Sequence, residues 1–270
     1  MKMNPFSSIK VKLIIFALGI SIIPIVAITT VYYFNVKHEL KHQILQRLIA
    51  VGESKRLHLI SFINGKKERT IDFSSDGFIR NSFEIINSAV NINEDDVNHL
   101  NQHLLKNKMS LDPHISFIAI LGLDGRVVAS TNEKLIGKDM SNHNEFIQYN
   151  ETWLKEPRYI DSIDAANFYI SAPITNISRD AVIGVIINCF DIAALNEITT
   201  NRTGMGKTGE VYLVNRNKQM ITKSRFIEGA PFNQVVDTKP VRMAINEKED
   251  MVGIYPDYRG VPVFGVSVYI

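Results

Sequence analysis

Residues 115–130 read ISFIAILGLDGRVVAS. The apolar run SFIAIL meets Asp124-Gly125, and a second short run, Val127-Val128-Ala129, follows. Two such runs around an Asp-Gly pair predict a β-hairpin, because Asp and Gly tolerate the positive φ that a tight hairpin turn demands. Upstream of residue 115 the apolar residues recur at helical spacing, and downstream they gather into short strand-like runs. The fold class is therefore α+β, with helices first and an antiparallel sheet after them.

Working back toward the N-terminus, Asn93 is placed to cap a helix whose first turn holds Glu94, Asp95 and Asp96. Carboxylates suit that end of a helix dipole. Val97, Leu100, Leu104 and Leu105 give its buried face, and Pro113 ends it. A shorter apolar helix around residues 78–86 follows the turn signal Asp76-Gly77. Between residues 35 and 73 there is no proline, and Val36, Leu40, Ile44, Leu48, Val51, Leu59, Phe62 and Ile63 fall at spacings that mark one helical face. This predicts a rod of about 57 Å at roughly 1.5 Å per residue, or two shorter helices broken at Gly52. Such a rod must bury its stripe along its own domain or against a second chain, so a homodimer through this stalk helix is expected.

Before the rod stands LIIFALGISIIPIVAITTVYYF, residues 13–34, without a charge. As a helix it spans about 33 Å, enough for the hydrocarbon core of a bilayer. Pro24 is tolerated in such a span, and Tyr32 and Tyr33 sit where aromatic rings favour the headgroup level. Lys2, Lys10 and Lys12 precede it with no acid, whereas Lys37, Glu39 and Lys41 mix signs beyond it. The basic flank predicts a cytoplasmic N-terminus, a single pass through the cell inner membrane, and residues 35–270 outside. A cleaved signal peptide would have a shorter apolar core and a small-residue exit, and here the exit is bulky.

Working forward, Gly137-Lys138-Asp139 opens a loop into a short helix at 144–149. Strands are expected at 159–163, 168–174 and 182–190, the last apolar throughout and therefore central. The order then repeats. Val127-Val128-Ala129 aligns with Met220-Ile221-Thr222, and 170–174 with 266–270, at offsets of 93 and 96 residues. In the second unit a strand pair is expected at 211–214 and 219–222, and its match to the last strand of the first unit is missing. A longer protein is expected, with a return span and a cytoplasmic output module.

Composition excludes several classes. A net charge of +2 gives no field for nucleic acid, and no basic stripe carries interleaved aromatics. The single cysteine, Cys189, rules out an internal disulfide and reads as a buried thiol. Gly204-Met205-Gly206-Lys207-Thr208 imitates a phosphate loop, but Asn201 stands where that pattern needs glycine and a strand-like run follows. The glycines read as the loop joining two units. His99 and His103 lie at i, i+4 without the general-base Glu of a metalloprotease, and read as a solvated helix face. His38, His42, His58, His114 and His143 are scattered, so no catalytic set, metal or cofactor is expected.

PHISFIAILGLDGRVVAST, LIGKDMSN, TGEVYLVNRNKQMITKSRF and YPDYRGVPVFG resemble double Cache modules, the extracytoplasmic input domains of bacterial chemoreceptors, sensor histidine kinases and diguanylate cyclases. The resemblance implies two PAS-like units in tandem on the long helix: a membrane-distal unit at 75–198 that holds a small ligand, and an incomplete membrane-proximal unit at 199–270. Amino-acid-binding members carry a Tyr-x-Asp and an Asp after the fifth strand for the ligand amine. Tyr159-Ile160-Asp161 and Asp191 match that pattern. The carboxylate clamp is not matched: Ser141-Asn142-His143-Asn144 holds neither Arg nor Trp, and Trp153 lies off register. Tyr159, Asp161, Asp191, Tyr169, Phe146, Trp153 and His143 are the candidate ligand residues. Two carboxylates favour a protonated amine, and an unpaired ligand carboxylate is costly to bury. An amine or a neutral polar metabolite is the expected ligand. In the alternative, Asp161 ends a strand, Asp191 caps the next helix, and the chain is an anchored structural or partner-binding ectodomain without a small ligand.

Overall fold

The computed structural model describes residues 9–89, 93–140, 151–160 and 165–270. One helix, α1 (Ile9–Ser75), runs unbroken for 67 residues, through Pro24 and Gly52. It is long and apolar enough at its N-terminal end to cross a membrane, and none of that apolar window is buried in the protein. There the hydroxyls of Ser21 and Thr30 donate to the carbonyls of Ala17 and Val26, at 2.9 and 2.7 Å, so their polarity is absorbed by the helix itself.

Gly52 does not break the rod. A Cβ there would stand 3.2 Å from Val266 Cγ1 and 3.4 Å from Val268 Cγ2, so the glycine is a notch into which the C-terminal strand packs. Three residues on, Lys55 Nζ donates to the Ile198 carbonyl at 2.6 Å. That carbonyl belongs to the last turn of α4 (Ala193–Thr200), where helix carbonyls lack internal partners and a cation is favoured.

Helix α2 (Gly77–Ser88) starts on Asp76, whose carboxylate accepts from the Ile79 N–H. Helix α3 (Glu94–His103) starts on Asn93 as expected, then widens into a π turn over Leu104–Lys108. The widened turn rotates the residues after Leu104, and Leu105, expected in the buried face, is 43% exposed.

Strands β1 (Ile115–Gly122), β2 (Val127–Ser130), β3 (Trp153–Ile160), β4 (Ala165–Thr175) and β5 (Val182–Asp191) form one antiparallel sheet in the order β2-β1-β5-β4-β3. The hairpin and the central apolar strand are where the sequence puts them. The third strand starts six residues earlier than the 159–163 expected. Its Pro157 is tolerated because β3 is an edge strand, and a bulge between Lys155 and Arg158 accommodates a residue that cannot donate to a ladder. The helix expected at 144–149 lies outside the described residues.

Alternation splits the sheet into two buried faces. On one, Ile118, Ile120, Phe168, Ile170, Ile174, Ile186 and Phe190 pack against Leu59 and Phe73 of α1 and Ile79, Phe83 and Ile86 of α2. On the other, Phe117, Ala119, Leu121, Tyr169, Val185, Ile187 and Cys189 meet Leu135 and Met140. Cys189 is buried, as read. Two polar contacts cross the helix-side face. Lys66 of α1 pairs with the buried Asp112, and Asn188 of β5 donates Nδ2 to Thr70 Oγ1 at 2.9 Å. Arg80 of α2, also buried, donates to the carbonyls of Thr175, Asn176 and Ile177 and so pins the β4–β5 turn.

In the second half, the strand pair expected at 211–214 and 219–222 is reduced to a bridge between Val214 and Met220. The Thr222 hydroxyl accepts the Leu213 N–H, taking the place of a backbone partner, and the ladder does not extend. A small core of Met220, Ala230, Val236 and Val241 sits under α5 (Lys239–Glu247). Strands β6 (Met251–Pro256) and β7 (Pro262–Ser267) form an antiparallel ribbon that reaches α1.

Candidate functional site

The sheet face away from α1 carries the candidate site. Residues paired across strands share a face, and their Cβ atoms lie about 5 Å apart. Asn167 pairs with Asp191, Tyr169 with Cys189, and Ser171 with Ile187. On the other side Tyr169 pairs with Lys155 and Ser171 with Trp153. One face thus gathers Trp153, Lys155, Asn167, Tyr169, Ser171 and Asp191 from three adjacent strands.

Tyr169 is buried, with its ring edge-on to Phe117 at 6.2 Å. Trp153 is half-buried at the start of β3. Lys155 is half-buried and already engaged in an interaction of its own. Asp191 closes β5 with an exposed side chain, and its Oδ1 accepts the Ala193 N–H at 2.7 Å. That bond lies at the entry to α4, one residue before its N-cap Ile192, so Asp191 is not itself the cap the alternative reading made it, and its second oxygen has no hydrogen bond among the described residues. The bulge in β3 leaves Tyr159 paired with Ala166, whose side chain packs into the helix-side core. The side chain of Tyr159 lies outside the described residues, as do His143, Phe146 and Asp161 altogether.

Asn167 was not among the candidates. It is 0% exposed. Its Oδ1 accepts from Ser116 Oγ at 2.8 Å, and its Nδ2 has no partner among the described residues. Because a hydroxyl both donates and accepts, turning the amide over leaves one end unpaired all the same. The signal was present in Asn167, Tyr169 and Ser171, polar at a period of two inside an otherwise apolar strand.

Two further clusters are built differently. At the distal end of α1, His103 is not solvated as the sequence suggested. It stacks on Phe78 with ring centroids 4.3 Å apart, accepts or donates at Nδ1 with Asn107, and holds Nε2 3.5 Å from Asp76. Burial pushes its pKa down, Asp76 pulls it up and Lys108 pushes it down, with a net lowering. Burial would raise the Asp76 carboxyl, but the Lys108 hydrogen bond and the Ile79 N–H more than offset that, and it is held low. In the second half, Glu210 accepts from Ser224 Oγ, Tyr258 OH and the Arg225 N–H at 2.7, 2.7 and 2.6 Å. Burial, with Glu210 alongside, pushes the Tyr258 hydroxyl up to about 12. Both Glu210 oxygens are satisfied, which makes the cluster a brace for the loop around Ser224.

The Gly204–Thr208 segment is a loop in which Gly204 and Gly206 have φ of +83° and +66°. A Cβ at Gly204 would meet Val51 Cγ2 at 2.7 Å, so this glycine lets the loop lie against α1. No group of three or more His, Cys, Asp or Glu placed to hold a metal occurs among the described residues.

No protein-family model matches the chain, and no curated protein matches it. Solved structures do. The sensor domain of the Vibrio cholerae histidine kinase DctB superposes with a TM-score of 0.55 at 13% identity, over 76% of this chain and 74% of that one. The sensory domain of the Campylobacter jejuni chemoreceptor Tlp3 with isoleucine bound gives 0.54 at 13% identity, over 81% and 85%. The Tlp3 ligand-binding domain in complex with L-valine gives 0.54 at 13% identity, over 81% and 86%. At such identities the likeness is one of fold.

Proposed function

We propose that this chain, which has the fold of double Cache sensor domains, is a membrane-anchored sensory input segment. It binds a small polar ligand in its distal unit and passes a conformational signal along α1. Residues 1–12 form a cytoplasmic tail, 13–34 the membrane span, 35–74 the stalk, 75–198 the distal ligand-binding unit and 199–270 the proximal unit. The segment lies across the cell inner membrane with its sensor outside, as the N-terminal part of a chemoreceptor, histidine kinase or diguanylate cyclase. It performs no catalysis itself.

The observation that carries this reading is the continuity of α1. One unbroken helix links an apolar stretch of membrane-spanning length to Thr70, which touches the central strand of the sheet. A shift of an ångström or two in that strand is on the scale by which helices move in transmembrane switches. The exposed Leu40, Ile44, Leu57 and Ile60 on α1 supply apolar surface for a homodimer through the stalk. The ligand is one with a protonated amine, which Asp191 suits by charge. Isoleucine and valine in the Tlp3 structures are of the size this reading asks for.

The test is isothermal titration of the full chain, in lipid nanodiscs, against libraries of amines, amino acids and neutral polar metabolites. A binder of micromolar to millimolar strength is expected. A folded chain that binds no compound in those libraries refutes the reading.

A further inference from the structure

Tyr255-Pro256-Asp257 repeats Tyr159-Ile160-Asp161 at an offset of 96 residues, the offset that also relates 170–174 to 266–270. In the second copy the Asp257 side chain is 8% exposed, and its two oxygens have separate duties. Oδ1 accepts the N–H groups of Arg259 and Val261 at 2.8 and 3.1 Å and so closes the turn between β6 and β7. Oδ2 accepts from Arg259 Nε and Nη2 at 2.9 and 2.6 Å. The same guanidinium lies over Phe226, with its Cζ 3.8 Å from the ring centroid, and 5.6 Å from that of Tyr258. Phe226 comes from the loop that Glu210 braces through Ser224, and Glu210 also accepts from the Tyr258 hydroxyl. The other guanidinium near Phe226, that of Arg225, is farther off at 5.6 Å and donates to the Gly209 carbonyl. Arg259 thus has what a bound cation needs: an enclosed carboxylate oxygen, an aromatic face, and a second acid, Glu210, within electrostatic range.

We propose that Asp257, Phe226 and Tyr258 form a cation-binding site of the proximal unit, suited to a monosubstituted guanidinium, and that the chain keeps this site filled with its own Arg259. The turn does not need that side chain, since Asp257 Oδ1 and the positive φ of Gly260, +77°, form it without the guanidinium. A flat cation is favoured over an ammonium because it lays its face on Phe226 while two of its N–H groups reach one carboxylate oxygen. A tethered occupant acts at an effective concentration of about millimolar or above, so a free guanidinium at lower concentration does not displace it. The site is therefore locked in the intact chain, and ligand reading falls to the distal unit.

The experiment uses the full chain in nanodiscs of neutral lipid, followed by ligand-observed NMR. The probes are ethylguanidinium, which is the part of the side chain that Arg259→Ala removes, and ethylurea, its uncharged counterpart. Arg259→Ala is expected to gain one ethylguanidinium site per chain over wild type, with a dissociation constant of about 1–10 mM, and to bind ethylurea there at least 10-fold more weakly. Adding Phe226→Ala to Arg259→Ala is expected to weaken ethylguanidinium about 3- to 10-fold. If Arg259→Ala does not fold, Arg259→Ser carries the same expectations, and failure of both to fold even with ethylguanidinium present overturns the proposal. It is also overturned by equal binding in wild type and variant, by equal affinity for the two probes, or by an affinity indifferent to Phe226. Each of these results leaves the sensory reading, which turns on the distal unit, in place.

Discussion

Replacing Thr70 by valine keeps the shape of the side chain and deletes its hydroxyl. That hydroxyl donates to the Lys66 carbonyl and accepts from Asn188 Nδ2 at 2.9 Å. Asn188 is fully buried, and its Oδ1 has no partner among the described residues. In Thr70→Val the whole amide is stranded between the central strand and the rod. Stranding one buried donor costs about 1–3 kcal/mol. For a folded region of this size, about 1 kcal/mol moves the melting midpoint by roughly 2–4 °C, so a drop of about 2–12 °C is expected. Thermal unfolding of the detergent-solubilised full chain, followed by circular dichroism, reads it. The double variant Thr70→Val/Asn188→Leu removes donor and acceptor together, so it is expected to recover most of the loss, because an apolar pair of like shape leaves nothing unmatched. An unchanged midpoint in the single variant, or a double variant no more stable than the single, refutes the reasoning.

Two other substitutions and one titration follow from the packing. Gly184→Ala would place a methyl group 2.3 Å from the Leu121 carbonyl oxygen and 2.5 Å from Phe83 Cε1. The oxygen belongs to a paired strand and cannot retreat, so a loss of about 3 kcal/mol or more is expected by denaturant unfolding. Gly52→Ala meets only the methyl ends of Val266 and Val268, so its loss is expected to stay below about 1 kcal/mol in the same assay. Acid should weaken the fold through His103. Its folded pKa lies below the usual 6.5, so the unfolded chain binds the proton first, and stability present above about pH 6.5 is lost as the pH falls below it. His103→Gln is expected to flatten that slope between about pH 7 and 5, leaving the later loss near the carboxylate range to Asp76 and other acids.

The parts of this architecture that follow from periodicity could be read directly. The rod, the Asn93 cap, the Asp124-Gly125 turn and the apolar central strand each rest on local chemistry that tertiary contacts reinforce. What escaped depends on position in three dimensions. Pro157 hides an edge strand, since sequence does not say which strand has a free side. The π turn at Leu104–Lys108 turns Leu105 outward by one residue of angle, which no helical template anticipates. His103 looked solvated because its stacking partner, Phe78, comes from a different helix. At the candidate site the motif-like residues drew attention to Tyr159-Ile160-Asp161 and Asp191. Asn167 declared itself only when register showed a buried amide with one end idle.

The lysine at position 55 and the notch at position 52 sit within one turn of the same helix. The first holds the exit of α4, and the second seats β7. Both halves of the molecule are therefore bolted to a single rung of the mast. Neither can lean without levering at that rung, and what travels toward the lipid is the resultant of the two pulls.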